Sequence, residues 1–216
     1  MSKIRTVEAL VDKLDKELSW RRLEISAIKT GIRKAKGNVC KAYIRSAIPL
    51  VYAHWEGFIK ESASLYLEFV SGQRLKLGEL NSNLSSITID YHANKTEKKH
   101  VAKVSVVVFA REKSNEQLKV PYKSVIDTKS NLNFETFDEI CWQIGLDTKA
   151  YKTKEKFINE EILKRRNCIA HGERLDLDED DCISVIDNVM TLMSNFKTDV
   201  ENCAVSKGYK KEVNSN

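Results

Sequence analysis

Apolar residues return at alternating steps of three and four from the start of the chain: Ile4, Val7, Val11, Leu14, Leu18, Ile25, Ile28 and Ile32. That period belongs to a long α-helix with one buried stripe, and the stripe needs a partner surface along its whole extent. Another helix of the same bundle or a second subunit could supply it. Arg21 interrupts the stripe, and a lone charge in such a seam can fix register at some cost in stability. Gly37 is a stop signal for this helix.

A second helix is expected over residues 38–70, bent at Pro49, because proline lacks a backbone donor and crowds the preceding turn. Val51, Trp55, Phe58, Leu65 and Phe69 would line its buried side. His54 falls between Val51 and Phe58 on nearly the same face, as a hydrogen-bonded core histidine or as a supporting group near a functional site. Asn133 is placed to cap a further helix whose buried face is Phe134, Phe137, Ile140 and Ile144. Asp178 does the same for the last helix, which Cys182, Ile186, Val189, Met193, Phe196, Val200 and Cys203 continue at helical steps.

Between these elements the pattern loosens. The valine-rich stretch 101–110 fits a short strand or an apolar helix, and periodicity cannot arbitrate. Pro121 favours a loop. The basic cluster Lys95-Thr96-Glu97-Lys98-Lys99-His100 reads as solvated surface or as extra phosphate contacts. The expectation is an all-α bundle forming a single domain over residues 1–204, with a less regular insertion around 81–125. The polar tail 205–216 is expected to be disordered.

At 216 residues the chain can bury a core without metal or disulfide staples. Its five cysteines form no Cys-x-x-Cys pair, so reduced thiols are expected rather than a zinc site or disulfide framework. No apolar run is long enough to span a bilayer, and the N-terminal residues lead into an amphipathic pattern rather than a signal peptide, so a cytoplasmic, membrane-free chain is expected. A net charge of +5 permits acidic partners without demonstrating them.

The stretch Arg166-Asn167-Cys168-Ile169-Ala170-His171 carries the chemistry. An arginine and a histidine close together can clamp a phosphodiester and move a proton without a metal. On a regular helix, residues five apart are separated by roughly 140° and 7.5 Å. The helix must therefore end or distort near His171, or two copies must build the site. Gly172 supports an ending, since glycine accepts the left-handed conformation that closes many helices. Arg165 precedes the same histidine and lies on the stripe made by Ile158, Ile162 and Ile169. It is the alternative phosphate ligand, or a structural ion pair with Glu161 or Glu173.

With its neighbours, this motif resembles the HEPN family (higher eukaryote and prokaryote nucleotide-binding domain), whose ribonuclease members carry Arg-x4-6-His with a polar residue after the arginine. Arg166, Asn167 and His171 fit that pattern. Val51-Tyr52-Ala53-His54-Trp55-Glu56-Gly57-Phe58-Ile59-Lys60 resembles the early core helix of stand-alone bacterial members, and Ser130-Asn131-Leu132-Asn133 leading to Ile144-Gly145-Leu146 is also similar to them. The matched regions span roughly residues 40 to 200, and only the arginine-histidine motif is functionally specific. Residues 81–125 match nothing in it.

The resemblance implies a HEPN-like helical bundle and metal-independent cleavage of RNA by 2′-hydroxyl attack, with no cofactor. It implies catalytic roles for Arg166, His171 and Asn167, substrate binding by Arg165 and Lys164, and a composite site at a homodimer interface. It further implies a toxin or phage-defence setting, with an antitoxin or defence-system protein as partner. The alternative is a non-catalytic HEPN module that binds nucleic acid, nucleotide or a partner protein, and fold alone cannot separate the two.

Overall fold

Thr6 opens the first helix. Its Oγ1 accepts from the Ala9 amide at 3.2 Å, and α1 (Val7–Lys34) follows. The computed structural model describes residues 4–94, 102–117, 119–123 and 125–212. Leu14, Leu18, Ile25 and Ile32 are buried along one side of α1, as the heptad-like spacing requires, whereas Val7, Val11 and Ile28 of the expected stripe are only partly buried and Leu10, outside it, is fully buried. Arg21, in the same row, is buried too. Its Nη1 donates to the Glu17 carbonyl at 2.9 Å and pairs with the Glu17 carboxylate, and its guanidinium lies 4.3 Å from the Trp20 ring centroid. Partners one helical turn away therefore accompany the charge into the seam.

α1 ends at Lys34, three residues before Gly37, whose φ of 58° lets the chain reverse into α2 (Gly37–Gly72). Pro49 lies inside this helix, with Val51, Trp55, Phe58, Leu65 and Phe69 buried as expected. α1, α2 and the last helix, α7 (Glu179–Val205), pack against one another as the frame of the bundle. α5 (Phe134–Ile144) lies across α2. Phe137 of α5 stands 5.3 Å from Trp55 of α2, 5.8 Å from Phe196 of α7 and 5.1 Å from Tyr151, centroid to centroid. One aromatic cluster thus ties three helices and the segment leading to the motif. The caps fall where the sequence puts them: Asn133 Oδ1 accepts from Thr136 N and Asp178 Oδ1 from Asp181 N, each at 2.8 Å.

Two expectations need correction. The stretch 81–125 is more regular than expected: it carries α3 (Ser82–Asn94) and α4 (Ala102–Glu112), packed against each other, while the described residues after Glu112 form turns and loop. The valine-rich run is therefore helical rather than a strand over the part that is described. Leu84 and Thr88 of α3 reach the core, and burial of these side chains compensates for the weak helix propensity of a serine- and asparagine-rich sequence. The basic cluster at 95–100 lies outside the described residues.

The tail is also held in place, as far as it is described. Tyr209 is buried, with its ring edge-on to Phe69 at 5.6 Å. Asn81 N donates to the Tyr209 carbonyl at 3.0 Å, Asn81 Nδ2 to the Gly208 carbonyl at 2.8 Å, and Lys211 N to the Glu79 carbonyl at 2.9 Å. One aromatic anchor and three hydrogen bonds outweigh the fraying that a polar tail would otherwise show.

Candidate functional site

The segment before the motif is a continuous helical rod whose winding changes along its length. A 3₁₀ stretch (Lys149–Lys154) gives way to π-helix (Phe157–Lys164), and ordinary α-helix resumes at α6 (Arg165–Ala170). In π winding the hydrogen bonds run five residues apart and the turn is wider than in an α-helix, so residues four and five apart both fall near one face. Ile158 and Leu163 are accordingly both buried, together with Ile162. A π turn also holds one residue more than an α turn, which shifts the facing of everything downstream by about one position.

That shift sets which of the two adjacent arginines faces inward. Arg166 turns inward onto α2: its Cζ lies 4.6 Å from the Tyr52 ring centroid, its Nη2 reaches the Ser130 carbonyl at 3.4 Å, and its Nη1 donates to Asn167 Oδ1 at 2.7 Å. Tyr52 is fixed in turn, since its hydroxyl accepts from Leu132 N at 2.7 Å. Burial is the main reason its phenol pKa is pushed up to about 12, with the hydrogen bond from Leu132 opposing, so it stays neutral at physiological pH.

Arg165 instead lines an open groove of about 480 Å³ with Lys164, Asn167 and His171. Its Nη2 pairs with the Glu161 carboxylate one turn back, while its Nη1 is buried without a hydrogen-bond partner among the described residues. That nitrogen is enclosed, so a phosphate in the groove would reach it only if the Arg165 side chain turned outward. Lys164, more exposed, pairs with Glu160 at 2.6 Å.

α6 ends as its sequence predicts. Gly172 takes φ 78°, its N–H bonds the Ile169 carbonyl at 3.0 Å, and Glu173 N bonds the Cys168 carbonyl at 2.9 Å. This pair of bonds is the Schellman closure, and it leaves His171 exposed at the last carbonyl end of the helix. Arg45 of α2 secures the following loop by donating from Nη1 to the Glu173 carbonyl at 2.6 Å. Burial and the Glu173 carboxylate raise the pKa of Cys168, the thiol in the groove wall, which disfavours a thiolate nucleophile.

Of the residues singled out by sequence, then, Lys164, Arg165, Asn167 and His171 share one groove, and Arg166 touches it only through its bond to Asn167. Because the Asn167 oxygen is committed to Arg166, its amide NH2 is the group it has to offer a ligand. His54 takes the core reading and faces α1: it packs edge-on to Trp20 at 5.3 Å, and its Nε2 lies 3.2 Å from Glu24 Oε2 without hydrogen-bond geometry. Burial lowers its pKa, and the Glu24 carboxylate opposes this. Tyr52, the Ser130 carbonyl and Arg45 were not marked as site residues by any local signal, because their role is a contact between α2 or the α5 approach and α6. No cluster able to hold a metal ion occurs among the described residues.

Residues 16–202 match the family model described as RiboL-PSP-HEPN. No curated protein and no solved structure matches the chain.

Proposed function

We propose, from the premise that this chain belongs to the RiboL-PSP-HEPN family, that it is an endoribonuclease whose site is the groove at the end of α6. The observation that carries this reading is the convergence of Arg165, with its unpartnered Nη1, and His171 on one open groove. RNA brings its own nucleophile, so a proton acceptor beside the 2′-hydroxyl and a cation on the adjacent phosphate are the groups required.

In the proposed step the His171 imidazole takes the 2′-hydroxyl proton as O2′ attacks phosphorus. The P–O5′ bond breaks, and O5′ leaves with a proton from a second imidazole. The products are a 2′,3′-cyclic phosphate and a 5′-hydroxyl end, and no metal takes part in the step. Arg165 holds the phosphate oxygens as negative charge builds, with Lys164 strengthening substrate binding. Asn167, oriented by Arg166, donates its NH2 to the substrate. Arg166 is therefore a positioning residue in this assignment, and its stack on Tyr52 is what holds it.

The second imidazole is supplied by another copy of the chain, because a twofold interface brings identical residues together and so provides an acid and a base from one sequence. The setting that fits such an activity is a toxin or phage-defence system, in which an antitoxin or another defence protein restrains it. The competing reading is a non-catalytic scaffold that binds RNA, nucleotide or protein. It is favoured by one observation, the engagement of Arg166 with Tyr52 and Ser130 rather than with the groove.

Labelled RNA incubated with the protein in chelator decides between them. Cleavage to cyclic-phosphate ends is expected for the unmodified chain, with loss in His171→Ala and Arg165→Ala and a smaller loss in Arg166→Ala. Equal cleavage by all four proteins removes these residues from the assignment, and absence of cleavage by all of them leaves the scaffold reading.

A further inference from the structure

A second recess lies at the far end of α2, and the motif makes no use of it. Gly72 permits it: a Cβ there would stand 2.4 Å from the Ile4 carbonyl oxygen, so glycine is what lets the backbone of Ile4 and Arg5 lie against the helix end. Gln73 Nε2 secures the approach by donating to the Arg5 carbonyl at 3.0 Å. Arg74 follows with φ 54°, a left-handed conformation that is strained for a residue with a side chain. Lys119 and Tyr122 contribute to the recess, with Lys119 Nζ 5.5 Å from the Tyr122 ring centroid.

The cavity is about 290 Å³, and its charged lining is Arg5, Arg74 and Lys119 against the carboxylate of Glu68. Neither guanidinium has an ion-pair partner among the described residues. Ser71 and Gln117 add neutral donors to the same wall. Three cations collected in a concavity against a single carboxylate, on backbone held by a glycine contact and a strained arginine, have the chemistry of an anion site. The volume is near the lower bound for small-molecule pockets.

We propose that this recess binds the phosphate group of a small phosphorylated ligand, with the guanidinium groups of Arg5 and Arg74 as its principal donors. The site is separate from the groove at α6. Tyr52, which carries Arg166, and Gly72 stand twenty residues apart on α2, roughly 30 Å along the helix axis.

Calorimetric titration of the full chain with inorganic phosphate, pyrophosphate and AMP, in dilute chloride buffer, tests this. One-to-one binding of at least one probe is expected, weakened about tenfold or more in Arg5→Ala/Arg74→Gly and unchanged in His171→Ala. Glycine suits the Arg74 backbone, so that variant removes the charge and relieves strain. Glu68→Gln should tighten binding by removing the opposing charge. Tighter binding of AMP than of phosphate would assign the ligand an organic body, and equal binding would assign the site to the phosphate alone. Failure of all three probes to bind overturns the proposal, as does binding that is lost in His171→Ala and kept in Arg5→Ala/Arg74→Gly. So does a loss in that double variant confined to a single-stranded RNA oligomer, which would make the recess part of a nucleic-acid track.

Discussion

Arg166 lays its guanidinium on the Tyr52 ring, 4.6 Å from the centroid, and so leaves the groove wall to its neighbour. Successive residues on a helix diverge by roughly 100°, so adjacent arginines cannot serve one surface equally. One of the pair anchors α6 to α2, while the other, Arg165, is half-buried at the groove with one nitrogen unpartnered.

The Tyr52 stack can be taken apart in two stages. Tyr52→Phe keeps the ring under Arg166 but leaves the Leu132 amide without its acceptor, at a cost of about 1–3 kcal/mol. RNA cleavage should then stay within a few-fold of the unmodified protein. Tyr52→Leu removes the ring as well, adding about 0.5–2 kcal/mol for the lost cation–π contact and freeing Arg166 from Asn167. Urea unfolding and cleavage measured together should show a clear further loss of activity in the leucine variant. Equal activity in the two variants would mean that the stack does not serve the site.

Glu161 competes with a phosphate for Arg165, because its carboxylate already holds Nη2. Glu161→Gln should therefore raise RNA affinity. A partly exposed pair of this kind is worth about 0.2–1 kcal/mol, which sets the gain at up to about fivefold. Fluorescence anisotropy with a labelled RNA at fixed salt reads it directly. Weaker binding instead would assign Glu161 the task of holding Arg165 in place.

His54 sets a pH dependence of stability. Burial lowers its folded-state pKa below the ordinary value, against the opposing Glu24 carboxylate, so the unfolded chain binds this proton more readily than the folded one. The resulting contribution is fully present above the unfolded pKa, about 6.5, and is lost as the pH falls from there through the lowered folded value. His54→Gln should flatten that slope. Urea midpoints for the two proteins between neutral pH and pH 5 make the comparison, and parallel profiles would show that His54 does not titrate as its burial requires.

The elements legible in sequence are those whose signals are local. The α1 stripe needed only its own spacing, Asn133 and Asp178 only the amides three residues ahead, and Gly172 only its position after His171. Assigning the groove to Arg165 was beyond such reading, because extrapolating the stripe from Ile158 and Ile162 assumes α winding through 157–164, where the helix is π. The helices of 81–125 were obscured for another reason: α3 and α4 pack on each other and α3 also packs on the core, which overrides propensity. Tyr52 in turn acquires its role through a contact with a residue far along the chain, which no local pattern encodes.

The described part of the tail is likewise held by a distant contact, through a single ring. Its composition is polar, yet Tyr209 sits edge-on to Phe69 and closes over the start of α3, where Asn81 bonds to both Gly208 and Tyr209. Burial raises the pKa of the phenol, and no hydrogen bond to its hydroxyl accompanies the ring contact among the described residues, so the stabilisation rests on apolar packing. Tyr209→Ala should cost about 3–5 kcal/mol, as for other buried aromatics, whereas Tyr209→Phe should change stability by less than about 1 kcal/mol. Because Asn81 also accepts from Leu84 N at 2.9 Å, opening the α3 helix through its own side chain, loss of the ring should loosen α3 along with the tail. Hydrogen exchange at the Leu84 and Ser85 amides should accelerate in Tyr209→Ala and not in Tyr209→Phe. Unchanged unfolding and exchange in Tyr209→Ala would show that α3 holds without the tail.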